Sequence, residues 1–216
     1  MNSEPSCEHF FPERLLPAVT VSDPGQAVEI AEALLEGGLS VMEITFRTAA
    51  TMDAIQAVRE EVPGMLVGAG TILTPGRIDE AMAAGAQFGL SPGLNRLVVE
   101  RALERAFPFV PGVSTPSEIE EALGLGMQVL KIFPAEQLGG PSYLRSLQGP
   151  YAHTGITFIP MGGVNLSNLG NYSCLKIVRA LGGSWLVPKQ SGILERSSQI
   201  IEQVRLSLEL LEEPIL

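Results

Sequence analysis

The stretch "FPFVPGVSTPSEIEEALGLGMQVLKIFPAE" (Phe107–Glu136) holds one complete strand–helix–strand passage, and its grammar sets the fold. "FPFVPGV" (107–113) and "VLKIFP" (129–134) read as short strands. Between them Thr115 offers a capping side chain ahead of Pro116 at the first helical position. Glu118, three residues past the cap, completes a capping box. Working outward, the same unit recurs. Strands are expected at "LLPAVTV" (15–21), "VMEITF" (41–46), "MLVGAGT" (65–71), "QFGLS" (87–91), "TFIPMG" (157–162) and "KIVRALG" (176–182). Asp23-Pro24 and Thr74-Pro75 repeat the capped helix start. In "QAVEIAEALLEGG", Ala27, Ile30, Ala31 and Leu34 share one face, and Gly37 suits the helix stop.

Strand starts about 20–28 residues apart match one strand-plus-helix unit. Eight such units without a linker predict an α/β fold, a (β/α)8 TIM barrel forming a single domain over residues 1–216. Residues 1–13 are read as an N-terminal extension below the barrel, and 190–213 as a C-terminal closing helix. An open doubly wound sheet is the alternative, but eight units in so short a chain favour closure. The seventh unit follows the least patterned gap.

Composition narrows the function. A net charge of −10 with no basic stripe argues against a nucleic-acid partner, while leaving room for a locally positive site that takes a small anion. Cys7 and Cys174 are too few for a disulfide framework and have no metal-ligating companions. "MNSEPSCEHFFPER" lacks the pattern of a secretory signal, and no apolar run approaches membrane-spanning length. A reducing cytoplasm and no membrane association are the expectations.

Strand parity then separates wall from interior. In "VMEITFR", Met42, Ile44 and Phe46 share one face and suit the helical shell. Val41, Glu43, Thr45 and Arg47 share the other, which climbs the barrel axis towards its C-terminal mouth. A carboxylate in such an interior is costly unless paired or employed. A self-neutralising Glu43–Arg47 ion pair is the bland reading; a functional carboxylate, placed where barrels build their sites, is the sharp one. In "VLKIFP", Lys131 and Phe133 share a face opposite Leu130 and Ile132. Of three lysines, Lys176 falls at the start of the last strand and Lys189 in a polar turn beyond it. Lys131 alone lies within a strand near its C-terminal end, where low dielectric favours the neutral amine that attacks a carbonyl. A core lysine paired with Glu43 is the structural alternative, and the two readings are compatible.

"MGGVN" (161–165) and "GGSW" (182–185) close the last two strands, where barrels often bind phosphate through backbone amides. Ser184 adds a hydroxyl donor. "GAGTIL" (68–73) is a poor dinucleotide fingerprint, since Leu73 occupies the third glycine position; it delivers Thr71 to the mouth instead. His9 and His153 lie in a tail and a loop, which disfavours a serine triad.

"EITFRT", "VGAGTILTP", "SPGLN", "PGVSTPSE", "LKIFPAE", "MGGVN" and "GGSWLVP", in this order, resemble the 2-keto-3-deoxy-6-phosphogluconate (KDPG) and 4-hydroxy-2-oxoglutarate (KHG) aldolase family over residues 15–188. The resemblance implies a metal-free, cofactor-free class I aldolase on a (β/α)8 barrel, commonly a homotrimer. It implies that Lys131 forms the Schiff base, that Glu43 is the general acid/base, and that Arg47 binds an anion. It implies that Thr71 holds the keto-acid carboxylate and that Pro92 and Phe133 wall the imine. It assigns Gly162, Gly163, Gly183 and Ser184 to the phosphate end of a 2-keto acid substrate. One position departs: where the family usually reads "PTGG", this chain has Met161. Losing a neutral hydroxyl bond there is worth about 0.5–1.5 kcal/mol. An isomerase or epimerase acting on a sugar phosphate, or a non-catalytic binder of a phosphorylated acid, are the rival readings.

Overall fold

The computed structural model describes residues 10–188 and 193–212. The chain alternates parallel strands with helices: β1 (Leu15–Val19), α1 (Pro24–Gly37), β2 (Val41–Thr45), α2 (Thr51–Glu61), β3 (Leu66–Gly70), α3 (Pro75–Ala83), β4 (Phe88–Leu90) and α4 (Arg96–Glu104). There follow β5 (Phe109–Val110), β6 (Gly112–Val113), α5 (Pro116–Gly124), β7 (Val129–Ile132), α6 (Gly140–Tyr151), β8 (Thr157–Pro160), α7 (Leu169–Ser173), β9 (Leu181–Gly183) and α8 (Ile193–Glu212). Cys7, His9 and Lys189 fall outside the described residues, as do 1–9 of the expected extension and 190–192 and 213 of the expected closing helix.

The ladders run β5-β4-β3-β2-β1-β9 in one sheet and β6-β7-β8 in another. Lone parallel bridges, Phe158 to Val178 and Met161 to Gly182, join β8 to the segment that becomes β9. Every expected strand is shorter in the structure, and two are interrupted. Pro111 has no N–H to donate, so 107–113 divides into β5 and β6; its carbonyl still accepts from Lys131 N at 2.9 Å. The run 176–182 changes partner part-way: Arg179 N donates to Phe158 O, whereas Leu181 N donates to Arg14 O. Val178 folds back onto Leu175 in a turn, and only Leu181–Gly183 pair continuously with β1.

The helix starts follow their local chemistry. Asp23 accepts from Gln26 N, and Thr115 with Glu118 forms the capping box. Thr74 occupies its cap position with extended backbone but makes no side-chain cap bond. The helix stop differs from expectation by one residue. Gly38, at φ +99°, is the left-handed cap, and Gly37 closes the last turn of α1. A Cβ on Gly37 would come within 2.9 Å of Val204 Cβ, so Gly37 instead permits the close approach of α8.

Strand parity is as expected along β2: Met42 and Ile44 are fully buried in the apolar core, while Glu43 and Thr45 point the other way beside the glycines of β3. Low in the interior, Phe88 is fully buried, with Phe10 stacked on it and Phe11 meeting it edge-on at centroid distances of 5.4 and 5.7 Å. Phe10 and Phe11 thus pack at the start of β4, the end opposite the strand C-termini.

Candidate active site

At the C-terminal ends of β1, β2, β7, β8 and β9 lies a cavity of about 710 Å³. Its lining brings together Glu43, Arg47, Lys131, Phe133, Met161, Gly162, Gly163, Gly183 and Ser184. Thr71 and Pro92 do not line it. They follow the neighbouring strands β3 and β4, Thr71 with a left-handed backbone at φ +60°.

Lys131 and Glu43 face each other at the cavity floor. Lys131 Nζ lies 3.8 Å from Glu43 Oε1, close enough for charge attraction and too far for a direct hydrogen bond. Both are buried, Glu43 to 1% exposure and Lys131 to 6%. Glu43 Oε2 has no partner among the described residues, so the carboxylate keeps acceptor capacity for a substrate hydroxyl or a water. Lys131 Nζ also stands 5.3 Å from the centroid of the Phe133 ring. The Glu43–Arg47 ion pair of the bland reading is not formed among the described residues; Arg47 is exposed at the mouth. The lining sets two basic side chains, Lys131 and Arg47, against one carboxylate on an acidic protein.

The glycines divide their labour. Gly162 and Gly163 take left-handed backbones at φ +89° and +92°, the region that favours glycine. No described group accepts from the amides of Gly162, Gly163 or Val164. The Gly163 carbonyl is held by the side-chain amides of Asn165 and Asn168, each at 3.0 Å. Gly182 serves packing: a Cβ there would lie 2.7–2.9 Å from the Met161 side chain, which lies across it. Met161 is 3% exposed and presents to the cavity a thioether, at best a weak acceptor.

Several lining residues carried no sequence signal. Thr20, just past β1, and Gln26, at the start of α1, border the cavity; Thr20 Oγ1 bonds Thr45 Oγ1 at 2.8 Å. Gly70 was hidden in the "GAG" run: a Cβ on it would sit 1.8 Å from Glu43 Oε1, so its bareness makes room for the carboxylate. Strand pairing could have flagged it, since Glu43 pairs with Gly68 and Thr45 with Gly70 on one face. Among the described residues no group of three or more His, Cys, Asp or Glu is placed to hold a metal ion.

A family model described as KDPG and KHG aldolase matches residues 8–204. The chain is 47% identical over 178 residues to the 2-dehydro-3-deoxy-phosphogluconate aldolase of Treponema pallidum, covering 82% of this chain and 84% of that one. It superposes with a TM-score of 0.82, at 34% identity and 98% coverage of both chains, on the KDPG aldolase of Legionella pneumophila, whose crystal structure holds pyruvate captured at low pH as a covalent carbinolamine intermediate. The Zymomonas mobilis 2-keto-3-deoxy-6-phosphogluconate aldolase, crystallised with 3-phosphoglycerate, matches at TM-score 0.84 and 34% identity over 90% of each chain. The chain belongs to the KDPG and KHG aldolase family.

Proposed function

We propose that the protein is a class I aldolase that cleaves 2-dehydro-3-deoxy-6-phosphogluconate to pyruvate and glyceraldehyde 3-phosphate. The same centre would split 4-hydroxy-2-oxoglutarate to pyruvate and glyoxylate. The observation that carries this reading is Lys131 Nζ, 3.8 Å from Glu43 Oε1 at the floor of a cavity rimmed by Arg47 and paired glycines.

The neutral Lys131 amine attacks the C2 carbonyl; the carbinolamine hydroxyl takes a proton from Glu43 and leaves as water, giving a protonated imine. When the C3–C4 bond breaks, its electron pair moves into the imine and leaves an enamine. Glu43, directly or through a water, takes the C4 hydroxyl proton, and the aldehyde departs. C3 of the enamine regains a proton, and water hydrolyses the pyruvyl imine to free Lys131. The imine supplies the polarisation that a metal would otherwise provide, so no cofactor enters the scheme.

Arg47 takes the keto-acid carboxylate at the mouth, and Phe133 walls the imine beside Lys131. Thr71 assists with the carboxylate and Pro92 with the wall from the adjoining ends of β3 and β4. The phosphate occupies the far end, on the amides of Gly162, Gly163 and Gly183 and the Ser184 hydroxyl. Met161 lies between the two ends.

The same proposal takes the strands to close into a single-domain (β/α)8 barrel, supported by the bridges that join β8 to β9 and by the short Pro111 gap between β5 and β6. It places the enzyme in the cytoplasm, where the exposed free thiol of Cys174 suits a reducing setting. A homotrimer completes it. The side chains of Leu73 and Leu97, 55% and 63% exposed, are apolar surface that a subunit interface would cover.

Purified protein supplied with 2-dehydro-3-deoxy-6-phosphogluconate should release pyruvate and glyceraldehyde 3-phosphate in equal amounts. Folded protein that releases neither would refute the reading. Running 4-hydroxy-2-oxoglutarate beside it ranks the two aldehydes.

A further inference from the structure

Behind the Gly162–Gly163 turn, on the side away from the cavity, stands a carboxylate that the reaction scheme does not use. Glu136 follows β7 and is not among the cavity-lining residues. Its amide donates to the Gly162 carbonyl at 3.1 Å, and the preceding Ala135 amide to the Met161 carbonyl at 2.8 Å. A Cβ on Gly163 would lie 2.5 Å from Glu136 Cγ, so the stem of Glu136 packs directly under the turn. Its Oε1 accepts the hydroxyl of Tyr172, a fully buried side chain on α7. Burial, then the hydrogen bond and charge of Glu136, pushes the Tyr172 phenol upward, so it stays a donor throughout the working range.

We infer that the Tyr172–Glu136 pair is a positioning device that holds the Gly162–Gly163 turn in register for the distal anion of the substrate. Two bonds draw the carbonyls of Met161 and Gly162 backward, and Asn165 and Asn168 hold that of Gly163. The amides of this turn are thereby left for an anion. A free carboxylate behind an anion site would swing or repel; the tyrosine hydroxyl fixes it and draws off part of its charge. This rests on the phosphate placement proposed above.

Tyr172→Phe removes only the hydroxyl. KM for 2-dehydro-3-deoxy-6-phosphogluconate is expected to rise about tenfold with kcat unchanged, the scale of one hydrogen bond to a charged group. Unphosphorylated 2-dehydro-3-deoxygluconate should turn over as in wild type, because it places no anion on the turn. Glu136→Gln keeps an acceptor for Tyr172 and should stay within about twofold of wild type. An unchanged KM in Tyr172→Phe, or equal losses on both substrates, would overturn the inference. If Tyr172→Phe does not fold, Glu136→Asp withdraws the acceptor by one methylene and carries the same comparison. Thermal protection by inorganic phosphate reads the anion site without turnover and should weaken in the variant. Wild-type cleavage with an unaltered variant sinks the positioning role alone, whereas a wild type that binds phosphate but cleaves nothing sinks the aldolase reading.

Discussion

Gly70 is bare because Glu43 occupies the space its Cβ would need: an alanine there would place a carbon 1.8 Å from Glu43 Oε1 and 2.5 Å from Glu43 Cγ. Glu43 has little freedom to retreat, being 1% exposed and flanked by Lys131. Either the carboxylate or β3 must move. Gly70→Ala is therefore expected to lower kcat by at least about tenfold and to cost about 1–3 kcal/mol of stability through overpacking. Circular dichroism and denaturant unfolding separate the two effects. A variant with unchanged kcat would show that the position of Glu43 does not matter.

Glu43→Gln keeps the shape of the side chain and removes its basicity. Acid–base assistance is commonly worth about 10²–10⁴ in rate, so kcat should fall by that order while KM changes little. Pre-steady-state kinetics should show both imine formation and carbon–carbon cleavage slowed. A kcat within twofold of wild type would assign proton transfer to some other group.

Met161 tests the distal half of the cavity. It lies across Gly182 and offers no hydroxyl to substrate. Met161→Thr is expected to raise kcat/KM for the phosphorylated substrate by about two- to tenfold, the scale of one neutral hydrogen bond. Steady-state kinetics with unchanged or poorer turnover would refute a missing-hydroxyl effect. Lost packing on Gly182 should appear separately, as a lower melting temperature.

Glu118 gives a pH-dependent stability difference. Burial alone would raise its pKa, but hydrogen bonds from the Ser114 and Thr115 amides and hydroxyls outweigh it and hold the carboxyl below its ordinary value of 4.5. A depressed folded pKa stabilises the folded state above the unfolded value and loses that contribution as pH falls through the folded one. Glu118→Ala should therefore cost about 1 kcal/mol in urea unfolding at pH 7, with the gap to wild type narrowing below about pH 4. A gap that stayed constant into acid would mean that the capping box does not depend on the charge.

Much of this architecture was legible because local chemistry and tertiary role coincide. Thr115, Pro116 and Glu118 start α5 by forces acting within four residues, and the period of two in "VMEIT" puts Met42 and Ile44 on one face and Glu43 on the other. Lys131 stood out because an amine inside an apolar run must be explained. The features that escaped depend on distant partners. Gly37 reads as a stop until α8 packs against it, and the split at Pro111 becomes visible only with β5 and β6 on separate ladders. Thr20, just past β1, and Gln26, in the first turn of α1, are ordinary polar residues until strand order carries β1 to the cavity edge. Gly182 lies beside Gly183 in the "GGSW" run, yet its missing Cβ accommodates Met161. Glu136 lay inside the quoted "LKIFPAE" run, but its partner Tyr172 is 36 residues away, and no local pattern links them.

The lysine chemistry can be read out directly. Protein incubated with pyruvate and sodium borohydride, then digested and analysed by mass spectrometry, should carry a reduced pyruvyl adduct on the peptide containing Lys131. Lys131→Ala should carry none, and activity should fall in step with adduct formation. Folded wild-type protein that gains no adduct, or gains it on a different lysine, would contradict the assignment of Lys131 as the nucleophile.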